Sequence, residues 1–267
     1  YIINIIMFRK FGIILITTFA LVFNVQAASD GELVLKKNEP SEVKDCFESL
    51  NRGTFAFNQA LDGLIVRPVA SVYKKLPSPV KTGVSNSLDN LSNLVTVPNN
   101  LLQGDIKLAG VNSGRFLINS TLGLLGLLDV AQHFGMVEYE KEDYGQSLAK
   151  HGVGPGCYIV LPVLGPSTAR DTVASAANFL GGDAWYNVTV KNDTHYFSEI
   201  DYYSSRATSG VDFRAKNYDS IENLEKNSLD FYASVKSLYL QDRQQKILNF
   251  NETISTQDDS DWEEIQN

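Results

Sequence analysis

Apolar residues recur at Phe47, Leu50, Phe57, Leu61, Leu64 and Ile65, with Thr54 between them, the three-and-four spacing of one helix face. Pro68 is expected to break or bend that helix, and Pro77 to Pro79 to end the next short one. The same period resumes from Val80 to Leu102 through Val84, Leu88, Leu91 and Val95, and Ile106 to Val130 predicts one or two further helices. Within the latter, Phe116 to Val130 is apolar nearly all round, with Gly123 and Gly126 inside it, so it is either buried or in lipid. At about 15 residues it is too short to cross a bilayer as a straight helix, and a half-inserted hairpin or interfacial element fits better.

A second apolar piece behaves differently. Gly152, Gly154, Gly156, Pro162, Gly165 and Pro166 punctuate it, which forbids a long helix, and Pro162 opposes a central strand. A bent, mostly irregular apolar segment is expected there. Asn178 to Tyr203 is rich in aromatic residues and carries no clear period. Asp219 to Ile247 reads as one amphipathic helix, with Ile221, Leu224, Phe231, Val235, Leu238 and Tyr239 on its stripe. Residues 251–267 are acidic and polar, which predicts a disordered tail. Alternating strands are scarce and no internal repeat is visible, so the expected fold is all-α.

The beginning of the chain reads as targeting sequence. Arg9-Lys10 gives a positive start, Phe11 to Phe23 an apolar core, and Val25-Gln26-Ala27 a small-residue cleavage site, so residues 1–27 are expected to be a signal peptide. Met7 is the expected true start. Residues 28–44 form a polar lead-in, expected to be flexible, and 45–250 the helical domain. Loss of Arg9 and Lys10 takes the 23 basic side chains to 21 against 31 acidic ones, a mature net charge of −10. No basic stripe offsets it, which argues against a nucleic-acid partner.

Export places Cys46 and Cys157 where disulfides persist. A bridge would close a loop of about 110 residues, worth ~4 kcal/mol on the chain-entropy account, and two buried unpaired thiols are the other reading. Residues suited to bond-making chemistry are few. His133, His151 and His195 lack metal-site spacing, so no metal or other cofactor is expected. Ser167 follows Gly165-Pro166 without the second glycine of a nucleophile elbow, and is expected to cap a helix over Thr168 to Asp171. No catalytic residue, and no enzyme, is expected.

Charges set against apolar sequence are more informative. Arg67, Arg115, Asp129, Arg170 and Asp171 each need a partner if buried. They are read either as structural ion pairs and caps, or as the lining of a polar path for a lipid head group, a role that suits the two-pronged guanidinium.

The order of short motifs resembles the MlaA (VacJ) family of outer-membrane phospholipid-trafficking proteins. The residues that carry the likeness are Leu50-Asn51-Arg52, Phe55-Ala56-Phe57-Asn58, Leu61-Asp62, Arg67-Pro68-Val69, Leu102-Gln103-Gly104, Gly114-Arg115-Phe116 and Asn119-Ser120-Thr121-Leu122-Gly123. Glu142-Asp143-Tyr144-Gly145-Gln146, Gly152-Val153-Gly154, Leu161-Pro162, and Leu164-Gly165-Pro166-Ser167 with Arg170-Asp171 complete the set. Each is weak alone; the ordered series is specific.

That resemblance implies a ring-like bundle of short amphipathic helices in the inner leaflet of the outer membrane, beside an outer-membrane porin trimer. An amphipathic channel would let misplaced phospholipids descend to a periplasmic lipid carrier of the Mla pathway, preserving lipid asymmetry without covalent chemistry. Arg52 joins the five charged residues above as a lipid-channel or structural candidate, and the lining is expected from Gly145 to Asp171. Two departures stand out. The family usually has a lipid-bearing cysteine at the end of its signal peptide, where this chain has Ala27-Ala28. It also commonly has proline where this chain has Cys46 and Cys157, and the double change implies that the two cysteines pair. A soluble periplasmic carrier of lipid or another hydrophobic ligand is the alternative function.

Overall fold

In a computed structural model, residues 43–136, 141–178, 183–187, 190 and 198–259 are described, and all of them fall in one unit, Glu42–Asn267. The expected signal peptide, most of the lead-in, the least readable part of 178–203 and the last eight residues lie outside them. The elements in order are α1 (Glu48–Leu61), a π turn (Asp62–Val66), α2 (Arg67–Lys74), α3 (Ser78–Leu102), α4 (Ile106–Thr121) and a 3-10 turn (Ala131–Phe134). There follow α5 (Tyr144–Lys150), β1 (Tyr158–Leu161), β2 (Gly165–Thr168), α6 (Ala169–Ala177), α7 (Ala184–Tyr186), α8 (Glu199–Lys216), α9 (Tyr218–Asn227) and α10 (Phe231–Asp259). The protein is mainly helical, and α3 packs antiparallel-fashion onto α4 after the tight turn at Gly104.

Several expectations are corrected. Pro68 does not break its helix. In a regular helix its ring would strike the carbonyl four residues back, and the wider π turn directly before it relieves that clash. The apolar run to Val130 is helical only to Thr121, and residues 122–128 form successive turns with Leu124, Leu125 and Gly126 at positive φ. The segment 152–166 is not irregular throughout: β1 and β2 pair antiparallel, Tyr158 opposite Thr168 and Val160 opposite Pro166, with Pro162 in the turn. The helix expected over Asp219–Ile247 is two helices, because Asp230 accepts from the Ala233 N–H and starts α10 afresh. The backbone of α10 stays helical to Asp259, into the segment expected to be disordered. At the end of the lead-in, Val43 packs on the core and the Lys44 carbonyl accepts from the Tyr158 N–H.

The apolar core is small and aromatic. Tyr158, Val160 and Tyr232 are its buried members, with Phe55, Tyr239 and Leu240 packed around them. Phe55 and Tyr232 meet edge to face at 5.5 Å, joining α1 to α10 beside β1. Cys46 and Cys157 are joined by a disulfide that ties the start of the domain to the head of β1.

Two asparagines dock the hairpin onto α1. Asn51 donates to the Tyr158 carbonyl at 3.0 Å and accepts from the Val160 N–H at 2.9 Å, as a neighbouring strand would. Two helical turns on, Asn58 donates to the Leu161 carbonyl at 2.9 Å and accepts from the Val163 N–H at 2.8 Å. An edge that would otherwise present open backbone groups is closed by side chains.

Candidate functional site

The long helices are inside-out relative to an ordinary soluble protein. On α3 the buried positions are Ser85, Asn90, Asn93, Thr96, Asn99 and Asn100, and on α4 they include Asn112, Arg115 and Asn119. Asn99 is 0% exposed and Asn112 is 1% exposed. Leu64, by contrast, is 78% exposed and Ile106 76%. Buried amides need partners, and the helices supply them to one another. Asn112 donates to Asn100 Oδ1 at 2.8 Å, Asn90 to Ser120 Oγ at 2.8 Å, and Ser147 of α5 to Asn99 Oδ1 at 2.7 Å.

Beside this stripe lies a cavity of about 340 Å3 with two unlike walls. Val95, Leu161, Leu164 and Pro166 make one; Asp143, Ser167, Asp171, Tyr239 and Arg243 make the other. The charged wall is organised by Arg243 of α10. Its guanidinium donates to Asp143 from Nη1 and Nη2, both at 2.7 Å, and to Asp171 from Nε at 2.9 Å and Nη2 at 3.0 Å. Tyr239 OH donates to Asp171 Oδ2 at 3.0 Å, and Arg170 Nε donates to its Oδ1 at 2.9 Å. Burial by itself would raise both carboxyls; the hydrogen bonds and charge of Arg243 outweigh it and hold Asp143 and Asp171 below the usual carboxylate range.

Local sequence explains why these groups converge. Asp143 caps α5 by accepting from the Gln146 N–H at 2.9 Å. Thr168, not Ser167, caps α6, accepting from the Asp171 N–H at 3.2 Å, while Ser167 sits in β2 with its hydroxyl taking a bond from Thr172. Two helix starts thus point at one arginine. Gly145 lets them meet: a Cβ there would overlap both the Asp171 carboxylate and the Arg243 guanidinium.

A smaller polar cleft holds two more of the sequence candidates. Arg115 Nη2 donates to Asp129 Oδ2 at 2.9 Å, and Asn119 donates to Asp129 Oδ1 at 2.9 Å while accepting from the Ala131 N–H at 2.9 Å. Burial opposes ionisation of Asp129, but Asn119 and Arg115 prevail and lower it. Asn86, Asp89, Asn90, Asn93 and Lys141 complete the cleft.

The remaining candidates are spent on structure. Arg67 meets Asp62 at 3.2 Å and Glu225 at 2.6 Å, in a network where Arg214 also holds Asp62 and Glu222. Arg52 pairs with Glu48 and Asp230 on the surface and covers the Tyr232 ring at 4.4 Å. Of the glycines and prolines singled out, only Pro166 lines the cavity around Arg243; Gly152, Gly156 and Gly165 take positive φ at turns, Gly154 lies before the hairpin and Pro162 in its turn. Arg243 and Asp143 escaped sequence reading. Asp143 carried a cap signal before Tyr144-Gly145-Gln146; Arg243, in a run of polar residues late in a helix, carried none.

Two segments present aliphatic side chains outward. The turns after α4 expose Leu122, Leu124, Leu125, Leu127 and Leu128, continuing from Leu117, and α2 with its π turn exposes Leu64, Ile65, Val69 and Val72. Leu124 and Leu125 hold the left-handed conformation at φ 52 and 60, at a cost of roughly 1 kcal/mol or more each. No helix among the described residues is long and apolar enough to cross a membrane.

Against known proteins, the family model for the MlaA lipoprotein matches residues 43–246. An uncharacterized protein of Rickettsia bellii is 35% identical over 208 residues, 77% of this chain and 78% of that one. The intermembrane phospholipid transport system lipoprotein MlaA of Shigella flexneri is 34% identical over 204 residues, 74% of this chain and 76% of that one. A solved structure from work on the structural basis for maintenance of bacterial outer membrane lipid asymmetry aligns with a TM-score of 0.63 at 31% identity, covering 76% of this chain and 99% of that chain.

Proposed function

This chain belongs to the MlaA lipoprotein family, and we propose that it moves mislocalised phospholipids out of the outer leaflet of the outer membrane through its polar interior. It is a component of intermembrane phospholipid transport that maintains lipid asymmetry, and its cargo is phospholipid. The observation that carries the channel reading is the inverted burial of α3 and α4, with asparagines inside and leucines outside.

The physics favours such an arrangement. A phosphate-bearing head group crossing hydrocarbon loses its hydration and gains nothing in return. An interior of amides and hydroxyls replaces that hydration step by step. Amides bind weakly enough to let the cargo leave, as conduction requires. Charges on the cavity wall are already paired, so Arg243 offers the phosphate no deep trap. The aliphatic wall opposite would guide the first methylenes of the acyl chains.

We assign the outward leucines of 117–128 and the α2 face to contact with lipid or a porin trimer, and the lower mouth of the path to a periplasmic lipid carrier. Left-handed leucines presented to solvent lose on both counts in water, and in lipid their exposure becomes favourable. The reaction is binding and release, with no bond made or broken.

Fractionation tests the placement. A membrane-embedded translocator resists salt extraction and leaves only with detergent; recovery with the soluble periplasm would replace it by the soluble-carrier reading. Mass spectrometry of protein purified in mild detergent tests the cargo: phospholipid should be retained at stoichiometric level.

A further inference from the structure

The chain's two cysteines form one bridge between positions 111 apart in sequence, one just ahead of α1 and the other just ahead of β1. Cys46 is exposed and Cys157 is half-buried.

What the bridge fastens bears on the cavity around Arg243. Residues 151–157 link α5 to β1. On the α5 side, Asp143, Tyr144 and Gly145 line that cavity, and on the hairpin side Leu161, Leu164, Pro166 and Ser167 do. The same joint seats the start of α6, which carries Asp171. The Cys157 carbonyl accepts from the Ala169 N–H at 2.8 Å, and the Pro155 carbonyl from the Arg170 N–H at 3.1 Å. Gly156 takes φ 67 beside Cys157, and a Cβ there would come within 2.9 Å of Ala169, so glycine lets the joint turn against α6.

The hairpin also has a seat that does not depend on the bridge. Asn51 and Asn58 give its backbone four hydrogen bonds to α1, and the Lys44 carbonyl gives a fifth. Each such bond contributes modestly in exchange with water, so the hairpin can leave α1 by local opening without global unfolding. The cross-link is a restraint of another kind. While it is closed, the head of β1 cannot part from the start of α1. A bridge sealed in the core would serve stability alone; this one has an exposed partner and stands where the two walls of the cavity join.

We propose that the Cys46–Cys157 bridge is a redox-operated clasp on the cavity. Closed, it fixes the hairpin wall against α1; opened by a dithiol, it lets that wall move and lipid exchange faster. The chemistry is thiol–disulfide exchange. A thiolate of the dithiol attacks Sγ of Cys46, the S–S bond breaks, and Cys157 leaves as a thiolate. The dithiol's second thiolate attacks the mixed disulfide and releases Cys46. Two electrons pass to the bridge, the dithiol's two protons end on the cysteines, and the dithiol becomes a disulfide. Exchange with a disulfide donor closes the clasp again. The inference rests on the transport reading for its lipid and adds regulation to it.

The test uses the full chain, purified in mild detergent with its lipid and treated with dithiothreitol in the absence of denaturant. Alkylation followed by mass measurement should find both thiols blocked, while the protein still melts in one cooperative step at a lower temperature. Amide hydrogen exchange at Tyr158 and Val160, whose N–H groups bond Lys44 and Asn51, should quicken about tenfold. Transfer of retained phospholipid to acceptor vesicles should quicken several-fold, and oxidised glutathione should restore both rates. The double variant Cys46→Ser, Cys157→Ser should match the reduced protein and ignore the dithiol. Since the unaltered chain is reduced in its folded state, the result does not hang on how that variant folds. Thiols that react only after denaturation, or hairpin amides indifferent to the dithiol, overturn the clasp. Quickened amide exchange with unchanged lipid transfer also overturns it and leaves a structural staple. Lipid missing from the oxidised protein counts against transport instead, and the amide exchange then decides whether the bridge holds the wall.

Discussion

Two polar interiors lie side by side in this protein and are built on different principles. Around Arg243, full charges are answered one by one: the buried Asp171 and the half-exposed Asp143 share one guanidinium, with Arg170 and Tyr239 filling in. Along α3 and α4 the buried polar groups are mostly amides and hydroxyls, with Arg115 the charged exception, and some are left incomplete, such as Asn90 Oδ1 and Asn100 Nδ2. The first holds helices together and has nothing to offer a passing ligand. The second is less fully satisfied, and it is the stripe on which the proposed lipid path rests.

Removing the hub is the harshest way to break the contrast. Arg243→Met strands the buried Asp171 carboxylate and takes the partner from the half-exposed Asp143, and should lower unfolding stability by about 3 kcal/mol, read from denaturant melts. A loss under about 1 kcal/mol would mean the cluster is ornamental. Within the amide stripe, Asn119→Leu should cost about 1–3 kcal/mol, because it deprives both Asp129 and the Ala131 N–H of a partner. Asn90→Ala, whose Oδ1 has no partner to lose, should cost less than that while slowing lipid passage in a vesicle transfer assay.

Acid sharpens the same comparison. Asp143 and Asp171 have folded pKa values below their unfolded ones, so their contribution is present above the ordinary carboxylate value and lost as pH falls through the folded value. Melting temperature should hold from neutrality to about pH 4 and then drop. In Arg243→Met that acid-linked drop should shrink; an unchanged profile would place the acid sensitivity elsewhere. Leu125→Asn tolerates left-handed backbone, so stability in detergent should hold or rise by up to ~1 kcal/mol. Extraction from membranes should become easier; tighter attachment would refute the membrane role given to that turn. Smallest of all, Arg52→Ala removes surface pairs and the guanidinium over the Tyr232 ring, and should lower the melting temperature only slightly.

Much of the fold was legible in one sequence. Helical periods placed α1 through α4 and ran α9 and α10 together as one helix, and prolines placed the break between α2 and α3. Asn51 and Asn58 stood in two of the motifs, though their task of completing the edge of β1 was not visible there. Pro68 misled because a π turn has no sequence signature of its own. Glycine and proline in 152–166 concealed a hairpin whose pairing is supported from a distant helix. In the candidate site, Asp171 was named and Arg243 was not, since a lone arginine in a polar helix looks the same whether it faces water or two carboxylates.

By itself, then, the sequence determined the mainly helical class, the proline-marked break between α2 and α3, and membership of a phospholipid-transport family. Tertiary structure alone decided which side of each helix is inside. A period of 3.6 residues says that a helix has an apolar face and a polar face, and is blind to which of them is turned inward. Asn93 and Asn112 are interior because neighbouring helices satisfy polar groups there and leave Leu64 and Ile106 to the surface, and that choice exists only once the helices have met.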